Sequence, residues 1–404
     1  MARIFGIKNV AFLSTYPPRE CGLATFTEDL VNEVSKVGLV RPCIIGVGLE
    51  KYEDPRVLYR LNPNERDSYL RTAQWANTYV DLLVIEHEYG IFGGESGEYI
   101  LDLVKALKIP FIVTTHTVLL EPTEKQRTVL RDLGRFSTKV VTMAKRSIYT
   151  LIDTYGIESE KLVFIPHGVP VMQVESREKL KAVQSLQHQH VMSSFGLLSP
   201  DKGLEYGIEA VAKVAAEYKN LTYLILGKTH PRVKERMGEE YRHSLEALAQ
   251  KLGVADNIRF VDKYLTKKEV ITYLHMSDIY LTPYLAKEQA VSGTLAYAVG
   301  GGRVVISTPY PYAEEMLGEG RGLLARFRDA DSLASCIRTV LANPVGKREM
   351  ERKTLAVGRT MTWAKVASQY AELCMNITRS TPSLLHQYHH RLITAERSEL
   401  RAGE

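Results

Sequence analysis

Short apolar runs alternate with longer amphipathic stretches, and this alternation runs through the chain once, lapses, and begins again. In the first half the apolar runs are 9–14, 42–47, 82–86, 111–115 and 139–143, separated by helical patterns such as 25–37, 97–107 and 124–136. An unbroken apolar run followed by a helix is the signature of a strand in a parallel sheet, because helices cover both faces of such a sheet. In the second half the runs are 190–196, 222–227, 258–261, 279–283 and 304–307, with helical patterns at 203–218, 241–252, 267–276, 294–299 and 331–341. The pattern predicts two doubly wound α/β domains, Rossmann-like and facing each other across a cleft. The expected boundaries are an N-terminal domain over 1–172, a polar linker region over 173–189, a C-terminal domain over 190–362, and C-terminal helices over 363–404. Trp363, Val366, Tyr370 and Leu373 lie at helical spacing, and a further apolar set, Leu384, Leu385, Tyr388 and Leu392, follows. These last helices are expected to cross back in part onto the first domain.

Length and composition agree with this division. A chain of 404 residues divides naturally into two domains, with ample apolar surface to bury. The net charge of +5 is too small an excess to point to nucleic acid. Cys21, Cys43, Cys336 and Cys374 are widely spaced, which argues against a zinc site or a disulfide framework. Neither a secretory leader pattern nor a run approaching ~20 apolar residues is present, so a soluble cytoplasmic protein is expected, with peripheral membrane contact and oligomeric state left open.

Ligands of doubly wound sheets sit at the carboxyl ends of the strands, so the loops there carry the chemistry. The first, Ser14 to Phe26, holds two prolines, Arg19, Cys21 and Gly22; the glycine suits backbone angles closed to other residues, and the helix start beyond it suits an anion or polar group. The second is Glu86-His87-Glu88-Tyr89-Gly90, charged and aromatic just where a strand ends. The third places His116 at the end of run 111–115, able to donate to a sugar hydroxyl or stabilise charge. The fourth, Phe195 to Gly203, puts Lys202 at a helix start; a cation there opposes the macrodipole and makes sense beside a bound diphosphate. The fifth, Pro283 to Gly300, offers the free amides of Ser292, Gly293 and Thr294 as a second anion site, with Glu288 upstream as an acceptor for sugar hydroxyls.

Taken in order, these segments resemble the retaining glycosyltransferases of the GT-B class, family 4, also called group 1. Phe195–Gly203 is similar to that family's G-R-L-x-x-x-K-G loop, Glu288–Gly300 to its E-x7-E element, and Ile165–Val169 to its I-P-N-G-V motif, with His167 for Asn. The resemblance implies a nucleoside-diphosphate sugar as donor, of the GDP-mannose or UDP-glucose type, and a carbohydrate or other hydroxyl acceptor, with no obligatory cofactor. It implies donor contacts from Gly22, Lys202, Glu288, Ser292, Gly293 and Thr294, with His116 beside the transferred sugar. Gly227, Lys263, Tyr264 and Leu265 would hold nucleobase and ribose, and Arg19, Cys21, His87, Glu88 and Tyr89 would line the acceptor side. His116, Lys202 and Glu288 are the expected catalytic residues. No D-x-D triplet stands at a strand end, so no metal is expected. Two positions depart from the family: its arginine falls at Leu197 and its second glutamate at Ala296. Lys228, Arg232, Lys287 and Arg19 are candidates for the missing cation. Rival readings are a sugar-nucleotide epimerase, a disaccharide phosphorylase, or a binding protein that kept the fold without catalysis.

Overall fold

A computed structural model describes residues 7–171 and 175–380. The chain divides into two units, one comprising residues up to 166 together with the segment from 363 onward, the other 167–362. Each is built on one parallel sheet.

The first unit contains β1 (Lys8–Ser14), β2 (Val40–Val47), β3 (Val57–Leu61), β4 (Leu82–His87), β5 (Phe111–Thr115), β6 (Lys139–Thr142) and β7 (Leu162–Phe164). Their spatial order is β3-β2-β1-β4-β5-β6-β7. The order reverses between β1 and β4, so the loops after these two strands diverge and leave a crevice at their carboxyl ends. Phe12, Leu13, Ile44, Val84, Ile112 and Val113 have no exposed surface. Burying each such side chain contributes on the order of 1.5–3 kcal/mol, which is why the apolar runs settle in the sheet centre. The helix Gly22–Val37 packs beside the helix Trp363–Ser380, and Tyr370 on the latter reaches Thr114 of β5, hydroxyl to hydroxyl, at 3.1 Å. The apolar positions 384, 385, 388 and 392 lie outside the described residues.

The second unit contains β8 (His190–Phe195), β9 (Leu221–Leu226), β10 (Ile258–Val261), β11 (Ile279–Thr282), β12 (Val304–Ser307) and β13 (Gly322–Leu324), ordered β10-β9-β8-β11-β12-β13. Here the reversal falls between β8 and β11. The chain enters and leaves this unit side by side: Val169 pairs with Thr362, and its N–H donates to Met361 at 2.8 Å.

Three strands escaped the sequence reading: β3, β7 and β13. All three are sheet edges with partly exposed residues, so their apolar signal is diluted. The expected linker is also corrected. Within it lies the helix Arg177–Val183, and Lys181 there is buried and ion-paired with Asp278 of the second unit. Polar composition signalled a linker because a sequence does not show that a buried charge has been neutralised.

Candidate functional site

In the second unit the loops at the reversal point, after β8 and β11, are locked together. Residues Pro200–Lys202 form a short 3-10 turn, and Gly203 follows in the left-handed region with φ of +60°. A Cβ on Gly203 would lie 2.2 Å from the Pro283 carbonyl oxygen, so only glycine lets the two loops approach this closely. The Leu285 N–H donates to Asp201 O at 2.8 Å. Lys202 Nζ stands 4.0 Å from the centre of the Tyr284 ring and 3.7 Å from Asp201 Oδ2. The Tyr284 hydroxyl bonds Thr294 Oγ1 at 2.8 Å, and Thr294 Oγ1 lies 3.1 Å from Ser292 Oγ. Lys202 and the start of the helix Gly293–Gly300 are therefore joined through one tyrosine. Gly196 closes the ring, since a Cβ there would sit 3.6 Å from the Thr294 methyl group.

The helix start is preorganised for a negative charge. Ser292 caps it, its Oγ accepting from Leu295 N at 3.3 Å. The N–H groups of Gly293 and Thr294 are its first two and have no carbonyl one turn back to bond. Their partial positive charge adds to that of the Lys202 ammonium. Glu288 sits half-buried in the turn upstream and makes no hydrogen bond or ion pair among the described residues. His167 is a neighbour that sequence reasoning registered only as a motif substitution. Its Nδ1 lies 2.8 Å from Gly168 O, and its Nε2 would be 3.0 Å from a Cβ placed on Gly293. Leu197 lines the same cavity as Lys202, whereas Ala296 is fully buried on the inner side of the helix.

Gly227 follows β9 with φ of +140°, and a Cβ there would come within 1.9 Å of the Gly196 carbonyl oxygen. Its own carbonyl accepts from Arg242, a buried side chain that also pairs with Asp262 at 2.7 Å. Arg242 was missed by sequence reasoning. The available signal was an arginine beside Tyr241 on a helix whose Leu245 and Ala249 face the core. Lys263 is exposed and ion-paired with Glu269, the glutamate of the capping box of the helix Lys267–Met276. Tyr264 is half-buried, its ring centre 5.8 Å from Lys228 Nζ, and Leu265 packs against the apolar cluster that includes Leu226 and Met276.

The first unit gathers its own cluster after β1, β4 and β5. Cys21 caps the helix Gly22–Val37, its Sγ accepting from Ala24 N at 3.4 Å. This cap starts the helix at Gly22, which corrects the expectation of a special loop conformation: Gly22 has no positive φ, and a methyl group there would meet nothing within 4 Å. Arg19 is held in the preceding loop by its N–H, which donates to Tyr16 O at 3.1 Å. Phe26, one turn into the helix, meets the His116 ring edge-on at 4.8 Å. His116 Nε2 lies 2.8 Å from Oε2 of Glu86, a fully buried carboxyl group. His87 departs from its expected acceptor role: its ring is fully buried against Tyr89 and Phe92. Burial, with a smaller contribution from His116, pushes its pKa down to about 3. Tyr89 is likewise buried, its hydroxyl donating to Gln126 O at 3.3 Å, while Glu88 accepts from the Thr117 hydroxyl. Glu86, at the end of an otherwise apolar run, stood in the loop segment flagged from the sequence but was given no role of its own.

Against known proteins, residues 176–356 match the sequence model of the family Glycosyl transferases group 1. The chain is 27% identical over 253 residues to the lipopolysaccharide glucosyltransferase WaaG of Escherichia coli (strain K12), covering 58% of each chain. It is 24% identical over 243 residues to a D-inositol 3-phosphate glycosyltransferase of Kineococcus radiotolerans, covering 55% of this chain and 53% of that one. The chain thus matches somewhat over half the length of these curated relatives. Among solved structures, Anabaena Alr3699/HepE in complex with UDP and glucose superposes with a TM-score of 0.74 at 16% identity, over 91% of this chain and all of the other. Among the described residues no helix is long and apolar enough to cross a membrane. Both units thus have the parallel-sheet, Rossmann-like architecture found in GT-B glycosyltransferase structures, and the second unit is similar over residues 176–356 to the group 1 glycosyltransferases.

Proposed function

We propose that this chain is a glycosyltransferase that moves a hexose from a nucleoside-diphosphate sugar to a hydroxyl acceptor with retention of configuration. One observation carries the reading: Lys202 and the start of the helix Gly293–Gly300 converge through Tyr284 and Thr294. A fixed ammonium beside unbonded helix amides is suited to a diphosphate, and to the charge that grows on it as the glycosidic bond breaks. The similarity of residues 176–356 to group 1 glycosyltransferases supports the same assignment.

In this mechanism Lys202 and the amides of Gly293 and Thr294 hold the departing diphosphate. Glu288, with no hydrogen-bond or ion-pair partner among the described residues, accepts hydrogen bonds from the donor sugar. Protein groups supply the stabilisation of the leaving group, so no obligatory metal is part of the proposal. A diphosphate oxygen deprotonates the acceptor on the same face, and no side chain is needed as nucleophile. HepE is known in complex with UDP and glucose, which puts UDP-glucose first among donors to try, ahead of GDP-mannose.

Calorimetry with UDP, GDP and their hexose conjugates tests the proposal. At least one is expected to bind, and Lys202→Ala to weaken it. If none binds and the substitution changes nothing, the transferase assignment is wrong. Leu197 and Ala296 favour a second reading, a sugar-nucleotide-binding protein without turnover, because one cation and one acceptor of the family pattern are missing. Donor binding without consumption over a panel of acceptors would favour that reading.

A further inference from the structure

Glu86, the last residue but one of β4, has no exposed surface. Its Oε2 meets His116 Nε2 at 2.8 Å, while Oε1 is buried with no hydrogen-bond partner among the described residues. A carboxylate so enclosed is costly unless a cation or a proton neutralises it. The surrounding groups offer few sources. Thr114, its partner in register on β5, shares its hydroxyl with Tyr370. Burial first, and Glu86 second, raise the pKa of the Tyr370 phenol, so it stays neutral. The Cys374 thiol is pushed up to about 12, chiefly by burial, and stays neutral as well. His87, next in sequence, is neutral for the reason given above. His116 is the remaining neighbour able to compensate the charge.

The His116 ring is fixed on its other sides. Its backbone N–H donates to His87 O at 3.0 Å, and the edge of Phe26, itself packed on Trp363 at 5.2 Å, bounds the ring. Nδ1 makes no hydrogen bond among the described residues, and it is not one of the enclosed atoms. A net-neutral pair has one proton between Glu86 and Nε2. With that proton shared between Oε2 and Nε2, the pair is neutral when Nδ1 carries its own hydrogen, whereas Nε2–H beside an ionised Glu86 with a bare Nδ1 would leave the buried carboxylate uncompensated.

We propose that Glu86 is a positioning residue: it holds His116 through Nε2 and keeps Nδ1 protonated, so that His116 meets a substrate oxygen as a hydrogen-bond donor and not as a base. This rests on the reading of His116 as a substrate-facing residue of the proposed transferase.

Nitrogen NMR of the protein with ring-labelled histidine tests it, with the His116 signals assigned by their loss in His116→Gln. In the wild-type protein Nδ1 should be protonated and Nε2 hydrogen-bonded, and UDP-glucose or GDP-mannose, whichever binds, should shift the Nδ1 signal. Glu86→Gln should shift the tautomer balance and lower kcat about 10–100-fold, the equivalent of one charge-assisted hydrogen bond, with KM changing less than about threefold. A wild-type His116 protonated on Nε2 alone, or a Glu86→Gln protein with the wild-type tautomer and kcat, would overturn the inference. Should the variant fail to fold, the wild-type spectrum decides on its own. Absence of any sugar-nucleotide turnover in the wild-type protein would count against the transferase reading, while the tautomer would still decide for or against the role of Glu86.

Discussion

In the proposed transferase, Lys202 alone would do the work that the resembled group 1 pattern divides between two cations. Removing it in Lys202→Ala should weaken nucleoside-diphosphate binding about 10–100-fold, the equivalent of a charge-assisted contact worth roughly 1.5–3 kcal/mol. The reverse experiment is Leu197→Arg. Leu197 lines the cavity that holds Lys202, so an arginine there should tighten UDP or GDP up to about tenfold by calorimetry. Unchanged affinity would show that position 197 does not face the diphosphate. Glu288→Ala should weaken the sugar conjugate while leaving the bare diphosphate unaffected, because its proposed contacts are to sugar hydroxyls. Lys202, Glu288 and Ser292 were legible in the sequence because each stands in a loop between an apolar run and a helical pattern. The roles of Glu86 and Arg242 were not: their importance lies in being charged groups with almost no exposed surface, and burial is a property of the assembled fold.

Among elements, the loop after β9 is tightly constrained. In Gly227→Ala the new methyl group would have to share space with the Gly196 carbonyl, at a φ of +140° that alanine rarely adopts. Loss of at least about 3 kcal/mol is expected, with diphosphate affinity falling alongside, since the same clash displaces the Gly196 loop. A second element-scale device is the cluster around Asp278. This carboxylate meets Lys181, Lys347 at 2.6 Å and Arg177 at 3.3 Å, tying the helix Arg177–Val183 to the helix Pro344–Gly358. Burial alone would raise its pKa, but Lys347 and Lys181 together outweigh that and hold it well below the usual carboxylate range. Asp278→Asn would leave buried cations uncompensated and should cost about 3–5 kcal/mol in urea unfolding. Because the folded pKa lies below the unfolded one, this contribution is complete above about pH 4 and fades as pH falls further.

The whole molecule should be acid-sensitive in both units, each through a buried histidine. His87 in the first unit is held neutral down to about pH 3, and His275 in the second is lowered to about 4 by burial, then by Arg303 and Arg177. Unfolding frees both to take up protons at their ordinary value of 6.5. Stability should therefore be constant above about pH 6.5 and fall below it, by at most about 1.4 kcal/mol per pH unit for each histidine. Urea unfolding at pH 7, 6 and 5 measures the slope; a His87→Phe protein as steep as the wild type would show that His87 is not its source. Ligand should act differently. The proposed diphosphate contacts all lie in the second unit, so UDP or GDP at a hundred times its Kd should stabilise that unit by about 2.7 kcal/mol, seen as a raised thermal midpoint.

What the sequence determined by itself was the architecture and the strand-end loops in which the candidate residues stand. Apolar runs alternating with amphipathic helices are forced into parallel sheets by the need to bury both strand faces, and loops at strand ends are where polar and glycine residues collect. The tertiary structure decided which of those polar residues stand free and which are enclosed. His87 and His116 are both histidines at strand ends, yet one is sealed against Tyr89 and Phe92 and the other is held by Glu86 beside Phe26. The helix Arg177–Val183 reads as linker until Asp278, about a hundred residues away, neutralises its lysine. Both outcomes depend on contacts between distant segments, and a local pattern cannot carry them, because the cost of burying a charge is set by the partner that meets it in the folded chain.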